Sequence, residues 1–180
     1  WGTPKREEAV ARLVSRGAEA ASVLAQRLPG PIEAAKLSYG EAPPVEEHGP
    51  ICAALVALGA RAVPAILPLL ADVDPQRRYY AVLILGRIGQ GDSLAAVAER
   101  IFDSHAKVAL ATRGVLVTLR KKPELGPVFL QMRQALAQPD PDRAAQAARA
   151  LGQIRDVEAI PALITLLASA DSLAADAAAD

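Results

Sequence analysis

Two histidines, one cysteine and the glutamate pair Glu46-Glu47 are the first residues of this chain whose types could do chemistry. His48 follows Glu46-Glu47, and two carboxylates beside an imidazole can hold a divalent metal. Neither His48 nor His105 has a second His or a Cys at metal-ligand spacing, however. His105 follows Asp103-Ser104 in a turn before a helix, where an exposed or capping role is expected. Cys52 has no second cysteine for an intramolecular disulfide or a cysteine zinc site. It lies in the apolar run Ile51-Cys52-Ala53-Ala54-Leu55, as a small core residue would. Ser, Cys and His form no readable nucleophile–base motif. Gly86-Arg87-Ile88-Gly89-Gln90-Gly91 holds three glycines but follows a helical pattern, so it is not a dinucleotide fingerprint. Arg77-Arg78-Tyr79-Tyr80 is the densest aromatic spot. It reads either as a recognition patch or as ring packing beside solvated charges. The expectation is a non-enzymatic chain with no catalytic residue, cofactor or metal.

Composition limits the elements that could position such groups. The chain has 180 residues, 20 Lys+Arg against 20 Asp+Glu and a net charge of zero. That excludes a broadly basic nucleic-acid or membrane-surface binder, though not a local patch. Hydrophobic residues make up 52% but aromatics only 3%, so the apolar mass is aliphatic, with 39 Ala and 23 Leu. No stretch approaches 18 uninterrupted apolar residues, so no transmembrane helix is expected. The chain starts at Trp1, its one methionine is Met132, and it stops inside an apparent helix at Asp180. It therefore reads as a segment of a larger protein.

The chain repeats itself. Val82 to Ile88 aligns with Ala148 to Ile154 at an offset of 66, sharing Leu-Gly-x-Ile. The same offset carries Leu94, Val97 and Ile101 onto Ile160, Leu163 and Leu167, and Asp74-Pro75 onto Asp140-Pro141. Intermediate copies run through Leu125, Val128 and Met132 and through Val63, Ile66 and Leu70, with a distant one at Ala21, Leu24 and Leu28. Each unit holds two helical patterns. Apolar residues recur at i, i+3, i+4 and i+7 in Leu94, Val97, Ala98, Ile101 and in Ile160, Leu163, Ile164, Leu167, the stripe of a 3.6-residue period. Asp-Pro places an N-cap before proline at the first helical position. Gly59, Gly89 and Gly152 mark first-helix ends, and Pro68 predicts a kink. The pattern predicts helix pairs at 4–16/18–28, 50–58/61–71, 75–88/92–102, 104–120/124–137 and 141–154/157–168. Another helix begins at Asp171, and no segment reads as a strand. If that last helix lacks a mate, the stripe of 157–168 stays half open and the chain self-associates or frays there.

The unit from Asp140 to Leu167 resembles the HEAT repeat, in the short bacterial form also found in phycobilin lyases. The likeness extends well over 50–180 and weakly over 4–28. It departs where the usual Val-Arg of the first helix is Arg77-Arg78, Ala106-Lys107 or Arg143-Ala144. The resemblance implies an all-α fold, a right-handed α-solenoid of about five helix pairs. The organisation expected is a diverged pair at 1–28, a Pro/Gly-rich insertion at 29–49 and repeats over 50–180, truncated at the C-terminus. Its functional implication is protein–protein scaffolding within a larger bacterial, cytoplasmic protein, with another protein or another domain as partner. The alternatives are a phycobilin-lyase-like factor and a HEAT-like nucleic-acid binder. Second helices usually line the concave side, so Pro68, Leu69, Glu99, Arg100, Leu130, Gln131, Thr165 and Leu166 form the expected contact ladder. The insertion offers Ile32, Leu37 and Tyr39 on a short helix, either as binding anchors or as a tolerated excursion. Arg and Lys gather at turns within pairs and Asp at turns between pairs, an arrangement that helix dipoles favour locally.

Overall fold

Aspartate and proline set where helices begin. Asp74 Oδ1 accepts from the backbone N–H of Gln76 at 2.8 Å, and Asp140 Oδ1 from that of Arg143 at 3.0 Å. Each capped helix then opens on proline, whose missing N–H would have had no partner there. The computed structural model describes residues 4–32 and 43–168, and among these it is helical with no strand. The first helices of the pairs are α1 (Pro4–Ser15), α3 (Pro50–Leu58), α5 (Pro75–Ile88), α7 (Ala106–Leu119) and α9 (Pro141–Ile154). The second are α2 (Ala18–Gln26), α4 (Val63–Ile66), α6 (Gly91–Ala98), α8 (Gly126–Ala135) and α10 (Ile160–Leu167). These bounds follow the predicted spans closely, and the helix foreseen at 171–180 lies outside the described residues.

The later second helices are less regular than the pattern implied. Each is extended by 3-10 turns, at Leu67–Ala71 after α4, Glu99–Phe102 after α6, and Pro123–Leu125 and Val157–Ala159 before α8 and α10. Pro68 accounts for the first of these. Without an N–H it cannot close the bond to residue 64, and the helix tightens there. The helix ends also differ from expectation at one place. Gly89 is left-handed (φ 67, ψ 29) and donates to Leu85 O at 2.8 Å, the anticipated cap. Gly152 instead stays within α9, and Arg155 takes the left-handed position (φ 60, ψ 48). The hydrophobic face carries the helix to Ile154, so the turn falls three residues past the glycine.

The chain forms two compact units, Trp1–Ser93 and Leu94–Asp180. In the first, α2 packs on α3 and α4, α1 on α3, and α3 on α5. The N-terminal pair thus shares one core with the pair beyond the insertion. Leu55, Ile66, Ile84 and Leu85 are fully enclosed there. Pro50–Ala71 is long and apolar enough to cross a membrane. The chain turns at Gly59 (φ 59), however, and Cys52, Leu55, Ile66 and Leu70 are buried in this unit's core. The second unit is built on α7, α8 and α9 with the turn after α6. Leu94, Ile101, Leu116, Leu125 and Leu151 lie at its centre. The face α9 presents to this core is mostly alanine, Ala144, Ala147, Ala148 and Ala150, which lets neighbouring helices approach closely. Burying each Leu or Ile contributes about 1.5–3 kcal/mol.

The last helix is turned relative to its expected register. The stripe Ile160, Leu163, Ile164, Leu167 should be core by analogy with Leu94, Val97, Ala98 and Ile101. In α10 only Leu163 of that set is even partly covered. Ile160, Ile164 and Leu167 are 50%, 60% and 44% exposed, and the buried side runs through Ala159, Ala162, Leu163 and Leu166. This is a rotation of one residue, about 100°. The corresponding residues Leu94, Val97, Ala98 and Ile101 are all fully buried. The covered side of α10 is the one that meets the second unit's core through Ala162, Leu163 and Leu166.

Candidate functional site

The expected contact ladder is placed mostly on the surface. In the first unit Pro68 is exposed and Leu69 half-buried; in the second Glu99, Leu130, Gln131 and Thr165 are exposed and Arg100 half-buried. Leu130 is 52% exposed, a large apolar side chain in solvent. Thr165 donates its hydroxyl to Pro161 O at 3.0 Å, so its polar group is engaged within its own helix. Leu166 is the exception. It is 8% exposed and part of the core, because of the rotation of α10, and it does not belong to a contact surface.

The ends of the insertion are fixed to the first unit. Its last residues, Pro43 to Gly49, include the 3-10 turn Val45–Glu47, which packs on α3 and α5. Val45 is buried, and Glu46 Oε1 pairs with Arg87 Nη2 at 2.7 Å. Hydrogen bonding and the positive charge of Arg87 outweigh desolvation and hold the Glu46 carboxyl below its ordinary value. Gly49 backs directly onto the Pro31 carbonyl, where a Cβ would collide with backbone, so only glycine closes the base of the loop. Ile32, one of the three proposed anchors, is half-buried and irregular; Leu37 and Tyr39 lie outside the described residues.

Two of the groups with catalytic potential, His48 and Cys52, are buried in the first unit. His48 is 2% exposed. Its Nε2 lies 2.8 Å from Pro43 O, which can only accept, so Nε2 donates there, and Nδ1 is buried without a hydrogen-bond partner. Its ring stands edge-on to Tyr80 at 5.8 Å, and Tyr80 stands edge-on to Tyr79 at 5.2 Å. Burial pushes the Cys52 thiol up to about 12, far from a reactive thiolate. Burial likewise pushes the Tyr80 phenol up to about 12. His105 is exposed at the N-cap of α7, and its own N–H donates to Asp103 Oδ1 at 2.9 Å. Among the described residues no three His, Cys, Asp or Glu converge as a metal site would require.

The Arg77-Arg78-Tyr79-Tyr80 patch packs rather than projects. Arg77 pairs with Asp72 at 2.7 Å and donates to Ala25 O at the end of α2. Arg78 donates to the carbonyls of Asp72 and Val73, and Tyr80 is 4% exposed. These bonds tie α5 to the turn before it and to α2. In the second unit Arg133 similarly joins α8 to the turn after α9 through Asp156 (3.0 Å) and Glu158.

One surface that the repeat pattern misassigned stands out. Val157, Ile160, Ile164 and Leu167 follow a 3-4-3 spacing on one side of the α10 segment, with Val157 72% exposed. That spacing is the seam by which two helices pair. It was visible in the sequence, but only the packed structure shows that the seam is open.

Residues 144–169 match the family model of the PBS lyase HEAT-like repeat. The match falls on α9 and α10 and supports a HEAT-like repeat family. No curated protein and no solved structure matches the chain.

Proposed function

We propose that this chain is a protein-interaction module of a larger bacterial, cytoplasmic protein, built as a solenoid of stacked HEAT-like pairs and without catalytic chemistry of its own. HEAT-like repeats generally mediate protein interactions. The observation that carries the reading is the open seam of α10: four large aliphatic side chains at helix-pairing spacing, three of them at least half exposed. A soluble surface keeps such residues apart unless something covers them. The natural occupant is an amphipathic helix that lays its own i, i+3, i+4, i+7 stripe into the seam. It belongs to a partner protein or to another domain of the same polypeptide. Leu130, exposed on α8, is a second apolar contact within the expected ladder.

The test is affinity capture from the source organism with the 180-residue chain, run beside Ile164→Glu and Leu130→Glu. Binding lost with Ile164→Glu at unchanged helicity supports the seam. Binding retained by that variant and lost with Leu130→Glu moves the contact to the ladder. Binding indifferent to both overturns the reading. Two further assays address the other classes, with no saturable absorbance change expected on bilin titration and no salt-dependent DNA shift.

A further inference from the structure

Large aliphatic side chains are exposed at several places among the described residues, and most stand singly on their element: Val23 on α2, Leu110 on α7, Leu130 on α8. The α10 segment carries four, Val157, Ile160, Ile164 and Leu167. Their 3-4-3 spacing reads the same in both directions. A stripe with that property meets an inverted copy of itself residue for residue. Turned about a two-fold axis at the level of Ala162, Ile160 of one copy falls beside Ile164 of the other, and Val157 beside Leu167. A closed two-fold dimer requires a self-complementary patch of this kind.

Charge favours the same occupant. No charged residue occurs between Ala159 and Ala170, so two seams meet without like charges facing each other. The acidic residues at the start of the segment are already matched within the chain. Asp156 pairs with Arg133 Nε at 3.0 Å, and Glu158 pairs with the same guanidinium. Helices from other proteins are selected and oriented largely by charges that flank the apolar stripe. With its acidic flank already neutralised, this seam discriminates by apolar pattern, which its own copy supplies. The inverted alignment also sets the positive N-terminal end of one α10 beside the negative C-terminal end of the other. Size bears on strength. A standard stable interface buries about 800 Å² per partner, and one eight-residue helix with its preceding turn presents a fraction of that. The pair of copies is therefore weak and exchangeable.

We propose that in the free protein the α10 seam is occupied by the α10 seam of a second copy, antiparallel about a two-fold axis, with Ile160 against Ile164 and Val157 against Leu167. The second copy is the resting occupant of the seam on which the interaction reading above rests.

Sedimentation equilibrium of the 180-residue protein from about 5 to 500 μM, where interfaces below standard size titrate, is expected to show monomer and dimer and no larger species. Ile164→Glu places two facing carboxylates in the pairing and weakens it by about tenfold or more at unchanged helicity. Leu130→Glu, which changes an exposed leucine on α8 instead, leaves the dimer constant within about twofold. If circular dichroism shows Ile164→Glu unfolded, Ile160→Gln serves in its place. Orientation is read by disulfide cross-linking, to which the buried Cys52 does not contribute. An equimolar mixture of Ile160→Cys and Ile164→Cys forms the mixed dimer faster than either variant couples to itself. A strict monomer throughout, growth into open-ended species, a dimer indifferent to Ile164→Glu, or self-coupling faster than mixed coupling overturns the proposal. The two readings of the seam fail separately. A monomer whose partner capture is lost with Ile164→Glu overturns the second copy and keeps the partner. A dimer broken by Ile164→Glu, with partner capture unchanged, overturns the partner at the seam and supports the second copy.

Discussion

His48 shows how far a residue's role departs from its type. Beside Glu46-Glu47 its side chain looks available to a metal. In the fold it is enclosed, donates to Pro43 O and rests edge-on to Tyr80. His48→Ala removes a buried hydrogen bond and a ring contact, and the expected loss is roughly 1–3 kcal/mol by urea unfolding. Cys52 and Tyr80 support a prediction about alkaline stability. Both hold their protons more tightly folded than unfolded, with values raised from 9.0 and 10.0 to about 12. Their contribution to stability is complete below about pH 9 and is lost as pH rises towards 12. Urea midpoints should fall across that window. In Cys52→Ala/Tyr80→Phe the same fall should be shallower, and an unchanged slope would contradict the assignment. Thiol reagents at pH 8 should leave Cys52 unmodified until the protein unfolds.

Among the helices, the end of α9 is the place where local preference and fold disagree. A left-handed arginine costs about 1–2 kcal/mol more than glycine. Arg155→Gly should therefore raise stability by roughly 1 kcal/mol in thermal unfolding, since the Arg155 side chain is exposed and its backbone is left-handed. The rotation of α10 changes what core substitutions should do. Leu85→Ala and Leu151→Ala each empty a fully enclosed site and should cost about 2–5 kcal/mol. Leu163→Ala should cost less because the side chain is only partly covered. Ile164→Ala should stay within about 0.5 kcal/mol of wild type. Equal losses at Leu151 and Ile164 would mean that the seam is covered after all.

At the scale of the molecule, the insertion and the seam make opposite predictions. The insertion's ends are held at its base by Val45, His48 and Gly49. Replacing Ile32–Tyr39 with a short glycine bridge should leave helicity and most of the stability intact, because closure entropy changes only slowly with the length of a connection. Loss of cooperative unfolding would show that the removed residues hold the core. The seam should govern association. Light scattering at rising concentration should show self-association that Ile164→Glu abolishes, and a strictly monomeric wild type would show that four exposed aliphatic residues are tolerated in solution.

The helix pairs, their order and nearly all their bounds were legible from the sequence alone, because those features are written in short-range chemistry. The 3.6-residue stripe, Asp-Pro at helix starts and Gly89 at a helix end act within one or two turns. The HEAT-like family was legible through the Asp140 to Leu167 unit, and the proposed protein-interaction role rests on that likeness. Tertiary structure decided which way each stripe faces and what remains uncovered. Leu166 and Ile164 are both apolar, two residues apart, and nothing local distinguishes the buried one from the exposed one; the core against which α10 packs does. His48 is buried because residues far along the chain, on α5, close over it. Side-chain type and spacing govern what a segment can become, whereas solvent exclusion and charge pairing depend on which segments meet.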